Sequence, residues 1–130
     1  MSGKIQFGAR LILGLIYFVF GLMGLLMFSK MTPPPMPEAA MGFMKGMMGT
    51  GYFIPVLKMT ETICGFLLLS GFAAPLALVV LAPVTFQIVL FHSCLTPGLN
   101  NLVLPTAMAI LHITAMGAYW KIYQPLFGRK

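Results

Sequence analysis

The chain has 130 residues, 59% of them hydrophobic and 8% charged, with a net charge of +6. Soluble domains average about 45–50% apolar and about 25% charged residues, so this composition excludes a soluble monomer and leaves a single transmembrane domain over residues 1–130. The basic residues lie mostly near the ends of apolar runs, where they anchor a membrane protein, which removes nucleic acid as a partner.

The first span is expected over residues 7–28. In lipid the backbone must satisfy its own hydrogen bonds, so the span is helical. Its apolar run is too long for a signal-peptide core, and no small-residue cleavage site follows it. Arg10, Gly14, Tyr17, Gly21 and Gly24 fall in an arc of about 80°. A glycine stripe admits a neighbouring helix, so this face turns inward and carries Tyr17 to mid-membrane. Arg10 is expected to snorkel to the headgroups.

The prolines of residues 33–37 hold an extended chain. Residues 38–48 then form a short amphipathic segment, too short to span, expected to lie at the interface or over the bundle mouth. Its methionines suit Cu(I) by ligand type, but Met is first an adaptable apolar filler, and no metal site is expected.

The second span, residues 52–69, contains Lys58 and Glu61 well inside its ends. Ionisable groups at bilayer depth cost about 2.5–3.5 kcal/mol, so they usually face the protein interior and have a partner. At i and i+3 these two can reach each other. The third span, residues 75–91, has Pro83 near its middle, where a kink is expected. Gln87 and Cys94 share one face, and Thr85 and His92 share another, about 140–160° away. His92 stands near the span's end and fits the headgroup layer. Turn residues follow over 93–101. The fourth span, residues 102–119, places His112 centrally. Tyr119, Trp120 and Tyr123 with Lys121, Arg129 and Lys130 then make an aromatic belt and a basic tail.

The architecture expected is an all-α, four-helix integral membrane bundle with a short interfacial helix in its first outer loop. Lys4, Arg10, Lys121, Arg129 and Lys130 fall on the side of the termini, against Lys30 and Lys45 on the other, which orients the termini to the cytoplasm. At about 1.5 Å per residue, Lys58 and Gln87 lie roughly 8–10 Å below the outer surface, and Glu61 and His112 roughly 13–15 Å. With Tyr17 they form a polar slab drawn from four helices. Such a slab is either an intramembrane ligand site or an interhelical network that holds the bundle together; His92 is a secondary candidate. Cys64 lies about 18 Å deep and Cys94 at the surface, so no intrachain disulfide is expected. The histidines differ in depth by roughly a dozen Å, which argues against a bis-histidine haem.

Several short motifs resemble the DoxX-like family of small four-helix bacterial membrane proteins. They are R-x-x-L-G-L from Arg10, E-x-x-x-G-x-L-L-L-x-G from Glu61 to Gly71, P-L-A-L from Pro75, and Phe91-His92 before a Pro-Gly loop. The resemblance implies a bacterial cytoplasmic-membrane protein associated with a quinone-linked redox or oxidative-stress system. Glu61, Gly65, Gly71 and His92 are the positions it covers; Lys58 and His112 are not supplied by it. No intrinsic electron carrier is expected, so electrons would come from a partner and a quinone would be the bound molecule. The alternative is a non-enzymatic accessory subunit packing against a larger membrane complex, or a homo-oligomer, and whether the chain is an enzyme stays open.

Overall fold

The computed structural model describes residues 3–27, 35–96 and 98–128, with only the backbone of Leu99. Among these residues the fold is all-helical: α1 (Gly3–Met27), α2 (Glu38–Gly49), α3 (Phe53–Ser70), α4 (Ala74–Leu90), α5 (Leu99–Gly117) and α6 (Trp120–Phe127). Helices α1, α3 and α4 are long and apolar enough to cross a membrane. Residues 100–117 of α5 qualify only together with α6, from which they are bent by 87°.

The four long helices pack in the ring order α1–α3–α4–α5, α5 closing on α1. Helices α1 and α3 run antiparallel: Gly14 faces Leu68, Gly21 faces Thr62 and Gly24 faces Lys58. The contact is close because it is made of glycines. A Cβ on Gly65 would stand 2.5 Å from the Phe18 nitrogen and 2.8 Å from the Gly14 oxygen. The glycine stripe of α1 therefore faces α3, as its small residues require. Ile12, Leu15, Ile63 and Phe66 point outward on the same two helices.

The turn between α3 and α4 follows from its residues. Gly71 takes the left-handed conformation (φ 85°), and its N–H closes on the Leu67 oxygen at 2.8 Å, ending α3. Pro75 then sits in the first turn of α4, where a missing N–H costs nothing. Next to this turn Arg10 donates to the Tyr119 hydroxyl (3.2 Å) and lies over the Phe7 ring. Arg10 is thus half-buried within the bundle instead of reaching freely to headgroups, since Tyr119 offers it an acceptor.

Three boundaries differ from expectation. The third span does not stop at residue 91: α4 runs through Pro83 and continues as a π-helical turn, Phe91–Leu95, closed by the Thr96 N–H on the Phe91 oxygen at 3.2 Å. Helix α5 then starts at Leu99, inside the stretch expected to be a loop, with Asn101 Nδ2 donating to the Thr96 oxygen at 3.0 Å. The fourth span ends at Gly117, and the belt residues beyond it form α6, held by the Tyr123 hydroxyl on the Pro75 oxygen at 2.7 Å. Phe28, Lys30, Arg129 and Lys130 lie outside the described residues.

Candidate functional site

The end of the bundle away from Gly71 holds a cavity of about 700 Å³. That lies within the roughly 300–1,000 Å³ usual for small-molecule pockets. Its walls are apolar. Phe20 of α1, Phe53, Ile54 and Leu57 of α3, Val84 and Ile88 of α4, and Leu104 and Met108 of α5 contribute to them. Helix α2 adds Phe43, Met44 and Met47. The Phe43 ring packs on Phe91 with centroids 5.6 Å apart, which ties α2 to the π-helical turn. Thr50 links α2 to α3: its hydroxyl donates to the Met47 oxygen and accepts from the Phe53 N–H. Bulges of the π type recur at functional sites, and this one places both Phe91 and His92 on the cavity wall.

Polar groups enter at Tyr17, Lys58, Glu61, Gln87 and His92, all of which line the cavity. Lys58 Nζ donates to Glu61 Oε1 at 3.4 Å, the expected i, i+3 pair. Glu61 is 4% exposed, while Lys58 keeps partial access. Gly24 makes the pairing possible, because a Cβ there would stand 2.6 Å from Lys58 Cδ. The glycine lets the aliphatic stem of Lys58 lie flat against α1, so that its ammonium stays beside Glu61 and does not extend to the surface.

Behind Tyr17 runs a buried chain of hydrogen bonds. The Tyr17 hydroxyl bonds to Thr85 Oγ1, Thr85 Oγ1 to His112 Nδ1 at 2.8 Å, and His112 Nε2 to the Leu78 oxygen at 2.8 Å. Tyr17, Thr85 and His112 are all at most 5% exposed. The chain joins α1, α4 and α5 across the core and ends on a backbone carbonyl.

Of the expected slab, Tyr17, Lys58, Glu61 and Gln87 all line the cavity, and His112 reaches it only through Thr85 and Tyr17. Gln87 shares the cavity but stands outside the hydrogen-bonded groups. It is largely exposed and makes no hydrogen bond among the described residues. The two polar stripes of α4 could not both turn inward, and the inner one carries Ala74, Ala77, Leu78, Leu81 and Thr85. The small residues at 74 and 77, in register with Thr85 at helical spacing, were the available signal for Thr85. His92 is half-buried at the cavity wall with Nδ1 on the Ile88 oxygen at 2.9 Å, so it belongs to the cavity's edge. Cys64 is buried and Cys94 exposed, and both are free. Among the described residues no group of three or more His, Cys, Asp or Glu side chains is arranged to hold a metal ion.

Comparison of the chain with protein-family models, with curated proteins and with solved structures finds no match.

Proposed function

We propose that this chain is an integral membrane protein whose four long helices cross the bilayer, and that its cavity binds the head group of a lipid-soluble redox carrier of the quinone class. The observation that carries this reading is the cavity itself: apolar walls large enough for a ring and part of a tail, with Tyr17, Lys58 and Glu61 grouped on its lining. A mostly apolar pocket with a few convergent polar groups is the usual form of a small-molecule site. An ionisable pair inside an apolar span is costly unless it serves a function or a partner. The motifs that resemble the DoxX-like family point the same way. The protein would then act as a membrane subunit of a bacterial quinone-linked redox or oxidative-stress system, with a partner protein supplying electrons.

In this reading the termini face the cytoplasm, because basic residues concentrate on their side. Helix α2 lies at the outer interface and covers the cavity mouth with Phe43, Met44 and Met47. Exposed Cys94 is then labelled in intact cells by a membrane-impermeant maleimide; labelling only after lysis reverses the orientation.

An accessory subunit without a ligand is the competing reading. It loses one support, since Gly14, Gly21 and Gly24 of α1 are already occupied by α3, although Gly42 and Gly46 of α2 stay open. Lipid extraction of protein purified in mild detergent separates the two. A bound quinone or quinol, identified by mass and diminished when Leu57→Phe narrows the cavity, supports the proposal. A stoichiometric large partner with no such lipid supports the accessory role.

A further inference from the structure

With a neutral His112 ring, the hydrogen-bond chain behind Tyr17 runs in one direction. A backbone carbonyl only accepts, so the Leu78 oxygen receives the proton of His112 Nε2. In a neutral imidazole the other nitrogen is then an acceptor, and His112 Nδ1 receives the hydroxyl proton of Thr85. Thr85, having given its one proton, accepts from Tyr17. A neutral ring satisfies every group in the chain. Tyr17 consequently has no proton left to offer the cavity it lines.

Beside the Gln87 amide and the His92 ring on its wall, the donor that the cavity offers next to Glu61 is the Lys58 ammonium. It has three protons, of which one is directed at Glu61 Oε1. The acceptor is Glu61, whose second oxygen, Oε2, makes no hydrogen bond among the described residues while the carboxyl lines the cavity. An acceptor-only head group, such as a quinone with its two carbonyls, answers Lys58 but leaves Oε2 covered by an apolar molecule without a donor. Covering a polar group without a partner costs about 1–3 kcal/mol, more for a charged one. A head group that donates as well as accepts satisfies both residues.

We propose that the cavity selects the hydroxyl-bearing, hydroquinone form of its ligand over the carbonyl-only quinone, with Glu61 as the acceptor and Lys58 as the donor. This rests on the quinone-class reading above and adds to it the oxidation state that binds.

The test is equilibrium binding to the full chain in lipid nanodiscs, under anaerobic conditions, of three probes with one decyl tail: a benzoquinol, the corresponding benzoquinone and the quinol's dimethyl ether. The quinol is expected to bind at least about tenfold more tightly than either of the others, the cost of one unsatisfied buried acceptor. Glu61→Gln, whose amide can donate as well as accept, should shrink the quinol-to-quinone ratio to about threefold or less. Equal binding of quinol and quinone by the wild type, or tighter binding of the quinone, overturns the selection while leaving the cavity as a quinone-class site. Failure of all three probes to bind overturns both. The wild-type series decides the matter even if Glu61→Gln does not fold.

Discussion

At one end of the bundle Leu13, Leu68, Leu78, Leu81 and Ala115 are fully shielded, whereas at the other Leu57, Val84, Leu104 and Met108 border an open cavity. The residue types are similar, so hydrophobicity does not explain the difference. Small residues do. Gly14 and Gly65 bring α1 and α3 together at the shielded end, and Ala74, Ala77 and Ala115 are buried in the same core. At the open end α4, the π-helical turn and α5 carry Pro83, Phe91, Leu104 and Met108 toward the cavity, and aromatic side chains surround it. Gly21 and Gly24 keep α1 against α3 at the open end as well, so the space opens toward α4 and α5, where bulky side chains replace the alanines of the core. The Tyr17–Thr85–His112 chain lies between the two regions and fixes three helices relative to one another.

The sharpest way to break this contrast is at the glycine contact. Gly65→Leu puts a side chain where even a Cβ meets backbone atoms of Phe18 and Gly14, which cannot swing aside. Overpacking costs about 1–3 kcal/mol in ordinary cores and more against rigid backbone. Loss of a monodisperse folded peak in detergent size-exclusion chromatography is expected. Gly42→Ala on α2 has nothing within 4 Å of the added methyl and serves as the control; it should leave the peak unchanged or raise the melting temperature slightly, as alanine favours helix by about 1 kcal/mol. Equal behaviour of the two variants would remove the glycine contact as the cause of the closed end.

At the base of the cavity, Glu61→Ala leaves the Lys58 ammonium without its partner. Breaking a buried pair costs about 3–5 kcal/mol, and the partial exposure of Lys58 places this case at or below the lower end. Thermal unfolding should show a clear drop for Glu61→Ala and a smaller one for Glu61→Gln, whose amide keeps the shape and a hydrogen bond. A wild-type melting temperature for Glu61→Ala would mean that the pair does not hold the base of the cavity.

The smallest effect comes from one chemical change made in both regions. Leu81→Phe adds volume to a side chain with 0% exposure and should cost about 1–3 kcal/mol. Leu57→Phe adds the same volume at the cavity wall, where there is room, and should stay within about 0.5 kcal/mol of wild type. Similar losses in the two variants, measured by thermal unfolding in one detergent, would show that the open end is as tightly packed as the closed one.

Much of this was legible along the chain. Lengths of apolar sequence located α1, α3 and α4 to within a few residues. The three-residue spacing of Lys58 and Glu61 announced their pairing, and the spacing of Gly14, Gly21 and Gly24 announced an inward face. Helix α2 was visible in its amphipathic pattern between the prolines and Gly49. Less legible was the region from Phe91 to Leu99, where Ser, Thr, Pro and Gly read as a loop although a π-helical turn and the start of α5 occupy most of it. That Thr85 and not Gln87 joins the buried hydrogen-bond chain was equally hidden, because residue depth is an axial coordinate and does not say which way a helix is rotated.

Composition and periodicity by themselves determined the helical class, helices long and apolar enough to cross a membrane, and the faces of α1 and α3, since long apolar runs with few charges leave few alternatives. Only the tertiary structure decided the rest. The rotation of α4 turned Thr85 rather than Gln87 to the core, because Ala74 and Ala77 pack there and a glutamine would not. The meeting of α1, α4 and α5 set the partners of the hydrogen bonds from Tyr17 to Leu78, and the placing of α2 beside the π-helical turn added a wall to the cavity. These depend on contacts between residues as far apart as Tyr17 and Thr85 or Leu78 and His112, whose geometry no local pattern specifies.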